Sequence, residues 1–211
     1  MQGASKNALS EIPKWVWLAL ALAVWGAWQH RWPNARLQVP AGVVVAADAP
    51  RQLASKLAPW GAAGLQITPL AEFNFEARLL SVAWYSYGRE ATLSPVDLAI
   101  GWGRMSDSAV LDSMQYTHGG RFFRYRWKLK PPIPLAEITR SSTNVHVIPA
   151  RPELLKQIEA LTTGSKIQAR GVLVQVNAPD GWFWKSSLTR EDNGAGACEL
   201  LWLTDLAVIP N

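Results

Sequence analysis

The candidate nucleophile of this chain is Cys198, its single cysteine, and the candidate base is His146, the best-placed histidine by predicted position. A cysteine attacks as the thiolate, which forms at neutral pH only beside a histidine or in a positive environment. Both residues lie in segments that we predict to be strands, and those strands could be neighbours in a sheet. The alternative interpretation is a small buried cysteine and a strand histidine held by hydrogen bonds.

Other catalytic arrangements have less support from the pattern. The types needed for a Ser187–His146–Asp192 triad are present, but no G-x-S-x-G turn surrounds the serine. The three histidines, His30, His118 and His146, lack the spacing of metal ligands. We therefore predict no metal site and no cofactor, and the residue pattern assigns no catalytic group beyond the cysteine–histidine hypothesis.

A basic strand face is the clearest candidate for binding. In residues 121–129, RFFRYRWKL, the cations Arg124, Arg126 and Lys128 alternate with aromatic side chains, which is the period of a β-strand. The cations of 121–130 equal the whole net charge of +5. This face could bind anionic headgroups, acidic glycan or a partner protein. The alternative is a solvated face whose charges protect a sheet edge against unwanted pairing.

The second half of the chain is predicted to be rich in strands. Strands are expected at 144–148, 166–176 and 197–209, with a helix at 152–161 and a hairpin turn at 178–181. Proline presets φ in that turn and glycine permits positive φ. These elements predict a small barrel or a curled antiparallel sheet in the C-terminal half.

The first half is harder to assign. Residues 73–87 favour a strand, and a helix over 72–82 is the alternative because that segment is rich in good helix formers. A helix is expected from Ser94 to about Met105. Ser94 suits the N-cap, a proline follows at N1, and Asp97 complements the positive end of the helix dipole. The fold class is therefore α+β, with one strand-rich domain and a few short helices.

A membrane anchor is predicted near the N-terminus. Residues 15–28, WVWLALALAVWGAW, carry no charge, and tryptophans, which prefer the membrane interface, stand at both ends. We expect a short tail at 1–11, a transmembrane helix at 12–32 and a folded domain at 37–211. A cleaved signal peptide and a buried core helix are the alternatives.

The expected location follows from that anchor. The segment before the apolar run is short and the domain after it is long, which favours a single-pass protein of the inner membrane with its domain in the periplasm. The positive charges on the two sides of the run are nearly balanced. Its partners would be the lipid bilayer, through the N-terminal helix, and a protein in the membrane. Nucleic acid is a poor fit for an exported domain.

Three stretches resemble a family of uncharacterised bacterial membrane-anchored, periplasmic proteins. They are LSPVDLAIGWGRMSD at 93–107, SSTNVHVIPA at 141–150 and SSLTREDNGAGACELLWL at 186–203. The resemblance implies that the domain is a recurring unit behind a membrane anchor, and it brings no activity, cofactor or catalytic residue with it.

The functional prediction combines these expectations. The chain is predicted to be a membrane-anchored extracytoplasmic domain that acts as a binding or assembly component of a bacterial envelope complex. The alternative is an envelope hydrolase that uses Cys198 with His146. A third interpretation is a cytoplasm-facing domain with a regulatory role.

Overall fold

The computed structural model describes residues 13–21, 37–191, 194 and 196–210. Its contacts divide the chain into two units, Met1–Ala35 and Arg36–Asn211. In the first unit, helix α1 covers 14–21, and the rest of the expected anchor at 12–32 lies outside the described residues, except for Pro13. None of the helices in the described ranges combines the length and the apolar character needed to cross a bilayer.

The second unit is built mainly of strands, joined by short helices. The strands are β1 Arg51–Ala54, β2 Trp60–Ala62, β3 Leu65–Trp84, β4 Val96–Gly101, β5 Gln115–Gly119, β6 Phe122–Arg126, β7 Ser142–Pro149, β8 Lys166–Asn177, β9 Phe183–Lys185 and β10 Glu199–Ile209. The helices are α2 Arg89–Leu93, α3 Ser108–Leu111, α4 Leu135–Arg140 and α5 Glu153–Glu159, with a 3-10 turn at Gly103–Ser106. This unit is α+β, as predicted.

The main sheet curls until it closes on itself. Neighbouring strands follow the order β3-β4-β7-β10-β8, and β8 then pairs with β3, which completes a five-stranded barrel. Strands β7 and β10 run parallel, and every other neighbouring pair in the ring is antiparallel. The barrel therefore includes β3 and β4, and it is neither confined to the C-terminal half nor wholly antiparallel, which corrects the prediction.

Strand β3 makes the closure geometrically feasible. It is 20 residues long and pairs with β8 along one edge and with β1, β2 and β4 along the other. Its register shifts between Pro69 and Ala71 and again between Leu79 and Ser81. An extra residue of this kind bends a strand and increases its twist, as a closed barrel requires.

Three apolar clusters hold the unit together. The first fills the barrel interior, where alternate residues of each strand point inward, among them Phe73, Phe75, Leu79, Leu98, Ile100, Val145, Val147, Leu201 and Leu203. The second lies between the outer face of β3–β4 and an insertion at 102–141, which carries the hairpin β5–β6. The third lies outside β8 and β10 and is covered by tryptophans, including Trp60, Trp182, Trp184 and Trp202.

The helix expected from Ser94 to Met105 is wrong in its main part. Residues Val96–Gly101 form β4, which pairs with β3 on one side and β7 on the other. Val96, Leu98 and Ile100 alternate into the barrel core. The hydrogen bonds of two neighbouring strands and this burial outweigh the local capping signals, since helix stability in proteins comes mainly from tertiary packing.

Candidate functional site

A cluster of buried polar side chains lies on the outer face of strands β4 and β7. Asp97 of β4 stands opposite His146 of β7 in the antiparallel register, and Asn144 follows on the same face. Their neighbours along each strand point into the barrel, so the pleat of the sheet directs these three side chains outward. The hairpin β5–β6 then covers them with two further polar residues, His118 and Arg121.

Asp97 is the centre of the cluster. Its side chain has no exposed surface, and its Oδ1 lies 2.7 Å from Arg121 Nη1 and 2.9 Å from His146 Nδ1. A carboxylate only accepts, so His146 carries its proton on Nδ1. Burial raises the pKa of Asp97, but the hydrogen bond and charge of His146 and the charge of Arg121 outweigh it, so that pKa lies below its ordinary value.

Arg121 fixes the hairpin to the barrel. It is the second residue of the two-residue turn between β5 and β6, with a positive φ of 69°. Its Nη2 donates to the Ser94 carbonyl at 2.8 Å, and its guanidinium lies 3.9 Å from the centre of the Tyr85 ring. The Tyr85 hydroxyl in turn accepts from the Arg121 backbone N–H at 3.1 Å. Ionic, hydrogen-bond and cation–π contacts thus converge on one side chain.

His118 is the second histidine of the cluster. Its Nε2 lies 2.8 Å from Asn144 Oδ1, while Asn144 Nδ2 donates to the Arg121 carbonyl at 3.1 Å. This network assigns the proton of His118 to Nε2, which leaves its buried Nδ1 without a hydrogen-bond partner among the described residues. Burial lowers the pKa of His118 and outweighs the opposing hydrogen bond to Asn144, so the ring is held neutral.

The structure places Cys198 at the edge of this same cluster. The thiol is half-buried, with Sγ 3.6 Å from Asn144 Nδ2 and 3.8 Å from the Arg121 carbonyl. His146, by contrast, is held at Nδ1 by Asp97, and its ring packs against Trp184 with centroids 4.8 Å apart. The two candidate catalytic residues are therefore linked through Asn144 and Asp97.

The serine of the triad hypothesis has a local structural role. Ser187 is buried, and its hydroxyl oxygen lies within hydrogen-bond distance of the Thr189 carbonyl and backbone nitrogen, as in a short turn. Asp192 lies outside the described residues. The carboxylate that the structure gives to His146 is Asp97, which comes 49 residues earlier in the chain.

A second polar group lies at one end of the barrel. Glu199 is 1% exposed and bonds to Arg190 and to the Thr143 hydroxyl. The Arg190 guanidinium also lies 4.8 Å from the centre of the Phe73 ring. A cavity of about 120 Å³ opens beside this group, and its lining includes Cys198 and Asn144. Neither Arg190 nor Glu199 stands out in the sequence, because their pairing depends on how the loop folds over the start of β10.

The basic face is formed as predicted over most of its length. Arg124 and Arg126 are exposed on β6, while Phe123 and Tyr125 are half-buried and pack on the second apolar cluster. Lys128 is also exposed but follows the end of the strand. Within the described ranges, no group of three or more His, Cys, Asp or Glu side chains could hold a metal ion.

Fold and site together define a class of domain. In chain order the ring strands are β3, β4, β7, β8 and β10, and the third and fifth of these, β7 and β10, run parallel. This is the connectivity of the OB-fold, a Greek-key barrel in which ligands bind on the face of the second and third strands. Those strands are β4 and β7 here, and the hairpin β5–β6 lies on their outer face. No protein-family model, curated protein or solved structure matches the chain.

Proposed function

We propose that this chain is a single-pass protein of the bacterial inner membrane whose strand-rich domain lies in the periplasm. There it acts as a binding or assembly component of an envelope complex. The apolar residues of α1 favour the membrane placement: Trp15, Trp17, Leu18 and Leu20 are each at least 51% exposed. Contiguous exposed apolar side chains are typical of a surface that contacts lipid or another protein.

The observation that carries the binding role is the construction of the hairpin β5–β6. Its inner face is seated on the barrel by Arg121 and by aromatic packing, and its outer face presents Arg124 and Arg126 to solvent. The Arg124 guanidinium lies 4.6 Å from the Phe122 ring and donates to the Gly119 carbonyl. Arg124, restrained by these two contacts, and its exposed neighbour Arg126 suit recognition of an acidic protein surface, because a restrained side chain loses less entropy on binding.

The decisive experiment is co-purification of the full chain from detergent-solubilised bacterial membranes. We expect a stable protein partner with the wild-type chain and a partner yield reduced at least several-fold with Arg124→Ala/Arg126→Ala. The matched control is Arg51→Ala/Arg170→Ala, which removes two exposed arginines from other strands of the same unit. Equal partner yields from the two double variants would reject the basic face as the binding surface.

The membrane placement has its own test. The full chain should sediment with membranes and resist extraction by alkaline carbonate, because an anchor helix is held by hydrocarbon rather than by charge. A C-terminal fusion to a reporter that is active only in the periplasm should give signal. A soluble chain contradicts the anchor, and a silent reporter on a membrane-bound chain contradicts the periplasmic orientation.

One observation favours the alternative of an envelope hydrolase. The 2.9 Å contact of Asp97 with His146 Nδ1 is the way in which a carboxylate orients a catalytic base. The thiol itself contacts Asn144 and the Arg121 carbonyl, which join it to the same polar cluster. Cys198→Ser tests the alternative, because it replaces the thiol by a slightly smaller hydroxyl that does not form the reactive thiolate. A variant with a full cellular phenotype rejects the hydrolase.

A further inference from the structure

We propose that the loop tip at Lys128–Lys130 docks on the anionic headgroups of a lipid bilayer and inserts Leu129 at their hydrocarbon boundary. This inference rests on the proposed membrane placement and adds a second lipid contact, made by the folded domain itself. The tip offers two cationic side chains and one aliphatic side chain to a lipid surface of net negative charge, such as one containing phosphatidylglycerol.

The exposure of Leu129 is the first argument. Its side chain is 98% exposed, and Lys128 and Lys130 on either side are exposed as well. A leucine held entirely in water gains nothing from the fold of its own domain, whereas a bilayer boundary would remove its apolar surface from water. The two lysines would keep their charges at the level of the headgroups.

The tip is also held firmly by the residue before it. Trp127 is half-buried and packs against the second apolar cluster, close to Tyr125, with ring centroids 6.3 Å apart. Two prolines, Pro131 and Pro132, follow the tip and restrict the backbone on the other side. A short loop held at both ends keeps Leu129 projecting into solvent rather than letting it fold back on the barrel.

The positive charge of the tip, from the exposed Lys128 and Lys130, favours an anionic lipid surface as the occupant. The chain comes into the domain from the 12–32 segment through Leu37–Val39, and the Val39 carbonyl accepts from Ser108 Oγ of α3 at 2.6 Å. That helix contributes Val110 and Leu111 to the cluster on which Trp127 packs. The entry segment and the tip are therefore both attached to the insertion at 102–141.

The test places a fluorescent reporter at the tip. The full chain carrying Cys198→Ser and Leu129→Cys, labelled with an environment-sensitive dye, is reconstituted into vesicles of phosphatidylethanolamine and phosphatidylglycerol or of phosphatidylcholine alone. We expect a blue-shifted, brighter emission in the anionic vesicles only. Tyr87→Cys in the same background is the matched control, because Tyr87 is 96% exposed and follows Tyr85, whose hydroxyl contacts the turn at the opposite end of the hairpin.

The second part of the test removes the positive charges of the tip. Each lysine near an anionic membrane changes the docked-to-free ratio about fivefold, so Lys128→Ala/Lys130→Ala should lower that ratio about 25-fold. The control Lys56→Ala/Lys156→Ala removes two exposed lysines elsewhere and should leave it unchanged. A third readout needs no substitution: trypsin should cut after Lys128 more slowly in the anionic vesicles, while cutting after Lys56 stays constant.

The outcomes separate this inference from the proposed function. A chain that does not float with the vesicles overturns the membrane placement and the lipid contact together. A chain that floats while the dye at position 129 reports water, with trypsin cutting after Lys128 equally in both vesicles, overturns the lipid contact alone. A dye that responds only when a membrane protein partner is added also overturns it and assigns the tip to protein binding.

Discussion

The Arg121 guanidinium lies 2.7 Å from the carboxylate of Asp97, whose side chain has no solvent exposure at all. This pair joins the hairpin β5–β6 to the barrel strand β4, and 23 residues separate the two positions in the chain. It is one of several contacts that hold the hairpin over the β4–β7 face, together with the His118–Asn144 hydrogen bond and the aromatic packing. The contribution of this pair to the stability of the domain can be measured directly.

Replacing Arg121 by alanine should destabilise the domain strongly. The change leaves the Asp97 carboxylate buried without its cation and also removes the contact with Tyr85. Breaking a buried ion pair from one side costs about 3–5 kcal/mol, and we expect about 3 because the Arg121 side chain is 20% exposed. Urea unfolding of the purified protein measures this. Arg124→Ala on the same hairpin is the control and should change stability by less than about 0.5 kcal/mol.

His118 should make the domain less stable in mild acid. Burial holds its folded-state pKa below the ordinary value of 6.5, so the unfolded chain binds a proton at higher pH than the folded chain does. The stability that comes from neutral His118 is complete above pH 6.5 and is lost as the pH falls toward the folded-state pKa. His118→Gln keeps a donor for Asn144 but cannot titrate, so its unfolding free energy should vary less with pH between about 6.5 and 5.

A wild-type pH slope retained in His118→Gln would contradict this assignment. Arg124→Ala is the matched control, since it lies on the neighbouring strand and keeps His118 in place. Urea titrations at several pH values give both slopes directly.

Gly171 should tolerate no side chain. A Cβ at this position would lie 2.3 Å from the Trp202 carbonyl oxygen and 2.8 Å from Leu201 Cδ1, so β8 and β10 would have to separate. We expect Gly171→Ala to destabilise the domain by about 1–3 kcal/mol, as overpacking does in a close-packed interior. Gly119→Ala, where no atom lies within 4 Å, is the control and should be nearly neutral. A thermal or urea transition that shifts equally in both variants would contradict the close approach.

Several local features of the fold were predictable from residue order. The alternation in 121–129 indicated β6 and its basic outer face, and the turn at 178–181 is present, with Gly181 at a φ of 87°. Asp107 caps α3, and its side chain accepts from the Ala109 backbone N–H at 2.8 Å. Each of these depends on residues within a few positions of one another, where steric and hydrogen-bonding rules act directly.

The same local rules misled at 94–105. Serine, proline and aspartate in that order satisfy the rules for a helix start, yet Asp97 is a strand residue buried in an ion pair. A signal was present, since Val96, Leu98 and Ile100 alternate with smaller or polar residues at period two. The prediction gave more weight to the helix-start residues than to this alternation, because pairing with β3 and β7 cannot be read from the segment alone.

Periodicity, caps and turns act over a few residues, so the order of amino acids is enough to establish a strand-rich α+β domain with an outward basic strand and an apolar N-terminal segment. Closure of the barrel and assembly of the polar cluster are different in kind. Asp97 meets His146 and Arg121, and Asn144 meets His118 and Cys198, only because strand order brings distant positions together. Such contacts depend on the free energy of the whole packed domain, which no single segment contains.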